Sequence, residues 1–142
     1  MMNVNHIWKG GLAGLLASIV TSLVMLIKRE VGFYQDLNPI EMLANSLHFP
    51  QVIYAWYLHY LLGIIYGIVF SILYYRIPGD ERFRGIVFAT CIWFIMMISV
   101  MPISGMGVFA MNIGSNFAMF TFIMHLVYGI FVGIIYGWLD KR

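Results

Sequence analysis

The stretch that decides the fold is His125-Leu-Val-Tyr-Gly129-Ile-Phe-Val-Gly133-Ile-Ile-Tyr-Gly137. On a helix, residues four apart lie one above the other, so His125, Gly129, Gly133 and Gly137 form a single stripe. Bare backbone runs down that stripe, with an imidazole at its head. An earlier stretch repeats the pattern: His59-Tyr-Leu-Leu-Gly63-Ile-Ile-Tyr-Gly67-Ile-Val-Phe-Ser71. A histidine followed by small residues at +4, +8 and +12 therefore occurs twice.

Working outward, composition decides the solvent. The chain has 142 residues, of which 62% are hydrophobic and 10% charged. Soluble domains carry about 25% charged residues, and a chain this short cannot bury so much apolar surface in its own core. Lipid must cover the excess. No Asp, Glu, Lys or Arg occurs from Gly10 to Ile27, from Met42 to Tyr75 or from Gly85 to Leu139. A helix needs about 20 apolar residues to cross the hydrocarbon. The first run fits one crossing, Pro50 trims the second to one, and the third accommodates two around Pro102. The expected fold is an all-α membrane protein, a four-helix transmembrane bundle occupying residues 1–142. Its spans fall at about 10–27, 54–75, 85–101 and 117–139.

The first span carries a stripe of its own, Gly10, Gly14 and Ser18, continued by Ser22. Helices in lipid associate by close packing, so small residues mark the faces that meet. Lys28 and Arg29 follow this span directly and no small-x-small cleavage site ends it, which reads as a retained helix. The polar connection after it holds Asn38-Pro39-Ile40-Glu41, an N-cap with proline at the first helical position. Ile40, Leu43, Ala44 and Leu47 share one face, giving a short helix at about 39–48 that lies in the interface or folds over the bundle mouth. Glu30, Asp36 and Glu41 share this connection as solvated acids. Pro102 is expected to stop the third span, and the apolar, glycine-containing segment after it must be covered by protein or line a cavity. The lone Cys91 excludes an internal disulfide and is expected to pack inside the third span.

Lys9, Arg76, Arg82, Arg84, Lys141 and Arg142 fall at one end of such a bundle, and only Lys28 and Arg29 at the other. The positive-inside rule then places both termini in the cytoplasm. A net charge of +2 is too small and too scattered for nucleic acid. Spans two and four run in the same direction and share the histidine–glycine stripe, the mark of a possible two-helix tandem repeat. Spans one and three match through Lys9-Gly10 and Arg84-Gly85. A same-direction repeat would have its axis along the membrane normal. His59 lies 17 residues before Arg76 and His125 lies 15 before Asp140. Both therefore stand roughly 22–26 Å from that boundary at 1.5 Å per residue.

The Gly-rich first span, Leu37-Asn-Pro-Ile-Glu-Met-Leu-Ala44, Arg76-Ile-Pro78, Met101-Pro102 and the closing His125-Leu-Val-Tyr-Gly129 with Tyr136-Gly137 resemble an uncharacterised family of small bacterial four-span membrane proteins. They are similar, more loosely, to YagU-like inner-membrane proteins. The resemblance implies a bacterial inner-membrane location and four helices, and it implies no activity.

Three functional readings stay open. The stripes at Gly10, Gly14, Ser18, Gly63, Gly67, Gly129, Gly133 and Gly137 offer more packing surface than one small bundle needs. That favours a non-enzymatic accessory subunit with a protein partner, or self-association, among membrane lipids. His59 and His125 could instead be paired axial ligands of a haem. With Met97 and Met101 they could handle copper, since Met96, Met97, Met101, Met106 and Met111 cluster near the end of span three. The third reading is a channel or transporter for a neutral or lipid-like solute. No His-Glu-x-x-His, G-x-S-x-G, phosphate-cradling loop or carboxylate pair points to an enzyme, and no cofactor is expected.

Overall fold

The structure, a computed structural model, describes residues 4–32 and 37–142; Asp36 lies outside them. Among the described residues six α-helices follow in order: α1 Val4–Glu30, α2 Pro39–Ser46, α3 Val52–Leu73, α4 Glu81–Ile95, α5 Met101–Ile103 and α6 Ser115–Asp140. A π-helical turn, Met96–Val100, joins α4 to α5 into one rod. Four helices, Asn5–Glu30, Val52–Arg76, Glu81–Ile103 and Ser115–Asp140, are long and apolar enough to cross a membrane.

Alongside buried aromatics such as Phe70 and Tyr136, small residues are buried and large aliphatic ones exposed. Ala13, Ala17, Ser18, Thr21, Ser22 and Thr121 are buried, while Leu12, Leu16, Ile65, Val69, Ile98 and Ile134 face outward. Small residues inside let backbones approach, and large aliphatic ones outside present the surface lipid accepts. The buried hydroxyls are satisfied locally: Ser18 donates to the Gly14 carbonyl at 2.9 Å and Thr21 to that of Ala17 at 2.9 Å. Such back-bonding removes the cost of a bare polar group in an apolar interior.

α1 packs along α3, α4 along α6, and α1 against α6, whereas α3 and α4 have no comparable backbone contact. They meet through side chains near the termini, where Phe70 lies 5.2 Å from Phe88, ring to ring. The same end is tied by polar pairs. His6 Nδ1 lies 3.0 Å from the Tyr136 hydroxyl and 3.2 Å from Asp140, Tyr75 donates to Asp140, and Lys141 pairs with Glu81 at 2.6 Å. That hydrogen bond to Glu81 holds the Lys141 ammonium above the usual lysine range. At the opposite end, called the loop end below, no polar side-chain pair ties α3 to α4 among the described residues, and a cavity opens there.

Two features of the third span were not anticipated by the sequence. The span ends at Ile103, one residue past Pro102 and close to the expected end, but its last turns are not all α-helical. The Met101 amide donates to the Met96 carbonyl, five residues back, and the helical path continues to Ile103. Widening the turn accommodates a residue with no N–H and a bulky ring, which an α-turn would not. Cys91 also departs from expectation: it sits in α4 but is exposed on the outer face. The connection after α5 is covered in part by protein, as expected of apolar irregular backbone. Ala110 is fully buried with Met97, Met101 and Phe117.

Candidate intramembrane site

The site rests on two glycine seams. On α1, a Cβ placed on Gly10 would lie 2.6 Å from the Gly67 carbonyl oxygen, and one on Gly14 2.9 Å from the Gly67 Cα. Ser18 is buried against Gly63. On α6, a Cβ on Gly129 would fall 2.5 Å from the Gly85 carbonyl and 2.7 Å from the Ala89 methyl. Gly133 and Gly137 lie against Glu81. Backbone meets backbone at Gly14, Gly67, Gly85 and Gly129, so a side chain at any of these four would force the helices apart.

The seams are equivalent, and they fix the register of the repeat. Gly14 faces Gly63 and Gly67 as Gly85 faces Gly129 and Gly133. Gly14, not Gly10, is therefore the counterpart of Gly85, one helical turn from the alignment through Lys9-Gly10. Equivalence stops at the level of the pairs: α1 packs on α6, but α4 and α3 make no contact of comparable closeness. A strict two-fold is absent, and a gap takes its place at the loop end.

That gap is a cavity of about 200 Å³, and both His59 and His125 line it. Ser18 and Thr21 of α1, Tyr66 of α3, and Thr121 and Tyr128 of α6 contribute hydroxyls to the wall. Tyr128 donates to the Gly63 carbonyl at 2.8 Å, a bond from α6 to α3. α2 covers one side with Pro39, Ile40, Met42, Leu43 and Ser46. The helix is set by its cap: Asn38 Oδ1 accepts from the Ile40 and Glu41 amides at 3.2 and 3.3 Å. Lys28 helps to hold its entry, donating to the Leu37 carbonyl while lying 4.4 Å over the Phe120 ring. The helix thus lies over the mouth of the cavity.

Hydrogen bonding gives each imidazole a defined role. His125 Nδ1 lies 2.8 Å from the Thr121 carbonyl, which can only accept, so Nδ1 carries the proton and Nε2 a lone pair. Ser22 spends its hydroxyl proton on the Ser18 carbonyl at 2.8 Å. The 3.3 Å contact from His59 Nε2 to Ser22 Oγ is then an N–H donated by the ring, leaving the lone pair on Nδ1. His125 is thus anchored through Nδ1 with Nε2 left as an acceptor or ligand, while His59 is held against both the Ser22 hydroxyl and the Ser18 backbone of α1.

The remaining candidates separate. Met101 and Met96 line the cavity, as does Met106. Met97 is fully buried in the adjoining cluster, and Met111 is exposed. Three contributors were not read from the sequence. Met25, Met42 and Met124 come from other elements, and periodicity within one helix cannot bring them together. Gly85 and Ala89 were also missed as the partner face for α6, because two small residues among aromatics make a weak signal. Their presence changes the count of packing surfaces, since every stripe now has its counterpart within the chain. Among the described residues, no three of His, Cys, Asp and Glu group as metal ligands.

No curated protein and no solved structure matches the chain. The model of one family, described as a family of unknown function, matches residues 4–142. With nearly its whole length covered, four membrane-length helices included, the chain belongs to that family, DUF6789.

Proposed function

We propose that the protein binds a small ligand in the cavity at the loop end of its four-helix bundle and does not transform it. The observation that carries this reading is the convergence of both intramembrane histidines on one cavity. Ionisable residues within a membrane are expensive and mark functional sites by default. A mostly apolar pocket with a few convergent polar groups is the usual form of a ligand site. Among the described residues no carboxylate lines the cavity to act with either imidazole, which favours binding over catalysis. The accessory-subunit reading drew on surplus packing stripes, and these are occupied inside the chain. A haem is poorly supported: about 200 Å³ falls below the roughly 300–1,000 Å³ of common cofactor and drug-sized sites. A bacterial inner membrane with both termini cytoplasmic is part of the same proposal. It rests on the family resemblance and on the six basic residues at the termini end against Lys28 and Arg29.

The test is photolabelling in lipid nanodiscs with a medium-chain alcohol bearing a diazirine. Saturable incorporation into Tyr66, Met106 and Met124 is expected, and Thr21→Phe, which fills the cavity, abolishes it while the protein remains folded. Incorporation confined to outward residues such as Leu16, Ile65 and Ile123, without saturation, would show an unoccupied packing defect instead.

A further inference from the structure

The ligand class follows from which side chains the cavity collects. Its 22 lining residues include six methionines, Met25, Met42, Met96, Met101, Met106 and Met124, out of 11 in the whole chain. Methionine commonly fills irregular gaps in apolar cores. Here the methionines surround a gap that they leave open, which is the reverse of filling it. The donors supplied are thioether sulfur and imidazole nitrogen, and among the described residues no carboxylate or thiolate lines the wall. That set is soft and uncharged. It suits a soft monovalent ion and disfavours calcium, magnesium or a divalent ion needing charge compensation in an apolar site.

Two independent features sharpen the assignment. Each imidazole donates one ring N–H to the protein, His125 to the Thr121 carbonyl and His59 to Ser22. This is the arrangement that orients metal-ligating histidines and leaves the other nitrogen basic. The register of the repeat also carries a pair of donors. Met25 lies eleven residues after Gly14, and Met96 eleven after Gly85. His59 precedes Gly63 by four, as His125 precedes Gly129. Each half of the molecule thus brings one methionine and one histidine to the same cavity.

Building on the ligand-binding reading, we propose that the cavity holds one soft monovalent transition-metal ion, Cu(I) or its analogue Ag(I). His59 Nδ1 and His125 Nε2 are the nitrogen donors, and thioethers led by Met25 and Met96 complete the set. Met42 on α2 and Met106 after α5 offer further sulfur at the covered side. Binding involves no change of oxidation state, and the neutral donors release no protons.

The experiment uses the full chain with Cys91→Ser, so that no thiol contributes, in lipid nanodiscs. Cu(I) is titrated in competition with a chromogenic Cu(I) chelator, Ag(I) in parallel, and retained metal is measured by mass spectrometry. About one ion per protein is expected, with a mixed nitrogen and sulfur shell in the Cu absorption-edge spectrum. His59→Ala with His125→Ala, and separately Met25→Leu with Met96→Leu, should each weaken binding at least about tenfold, while Zn(II) is not retained. The leucine pair preserves apolar volume and so remains informative if the alanine pair unfolds. Absence of stoichiometric metal, or retention indifferent to both pairs, overturns the assignment. If metal fails while the diazirine alcohol still labels the cavity, the metal assignment falls and the cavity remains a ligand site. Failure of both removes the binding reading altogether.

Discussion

At the scale of single residues, the molecule is governed by where a Cβ can be accommodated. Gly67 and Gly11 are both glycines in spans of the same seam, yet they differ in kind. A Cβ on Gly67 would meet the backbone of Gly14 at 2.7 Å, whereas one on Gly11 would touch the Ile64 side chain at 3.5 Å. Gly67→Ala should therefore lower stability by about 1–3 kcal/mol, because only backbone separation relieves the overlap. Gly11→Ala should be neutral or stabilising by up to about 1 kcal/mol, through higher helix propensity and ordinary contact. Denaturation in mixed micelles separates the two, and equal effects of like sign would contradict the seam. Gly67 was legible in the sequence as part of a stripe, and Gly11 lay outside any. Which glycine meets backbone and which meets side chain was not legible, because that depends on the partner helix.

At the scale of elements, α2 is a short helix given a definite place by its cap and by burial of Ile40 and Ala44. Asn38→Ala should cost about 1 kcal/mol and act locally. Hydrogen exchange should quicken at the Ile40 and Glu41 amides, with α1 and α6 unchanged. Unaltered exchange at both amides would mean that Asn38 does not cap the helix. The cap signature Asn38-Pro39-Ile40-Glu41 was complete in the sequence, and the structure shows the helix it announces. The π-helical turn at Met96–Val100 was not legible, since Pro102 marks the end of the span and not the form of the turn before it. Packing accompanies that turn: Met97 and Met101 are both buried against Ala110 and Phe117.

At the scale of the whole molecule, two helix pairs of equal register are joined along α1 and α6 and clamped by polar pairs at the termini end. The four spans were visible as charge-free apolar runs, since lipid imposes length and composition directly on the chain. The shared cavity was not, because it arises where α3 and α4 fail to make the contact that α1 and α6 make. No one-dimensional pattern records a missing contact. Histidines at matching depth were the nearest signal, and their convergence required the fold.

The claim on which the account rests is that this cavity is a reachable interior while the outward faces meet lipid. Thr21 and Leu23 test it most directly, being two residues apart on α1 at almost one depth. Thr21 is 3% exposed and lines the cavity, and Leu23 is 53% exposed on the outer face. In lipid vesicles and a Cys91→Ser background, Thr21→Cys should react with a charged, water-soluble methanethiosulfonate, and Leu23→Cys should not. Reaction at Leu23→Cys with none at Thr21→Cys would contradict the account.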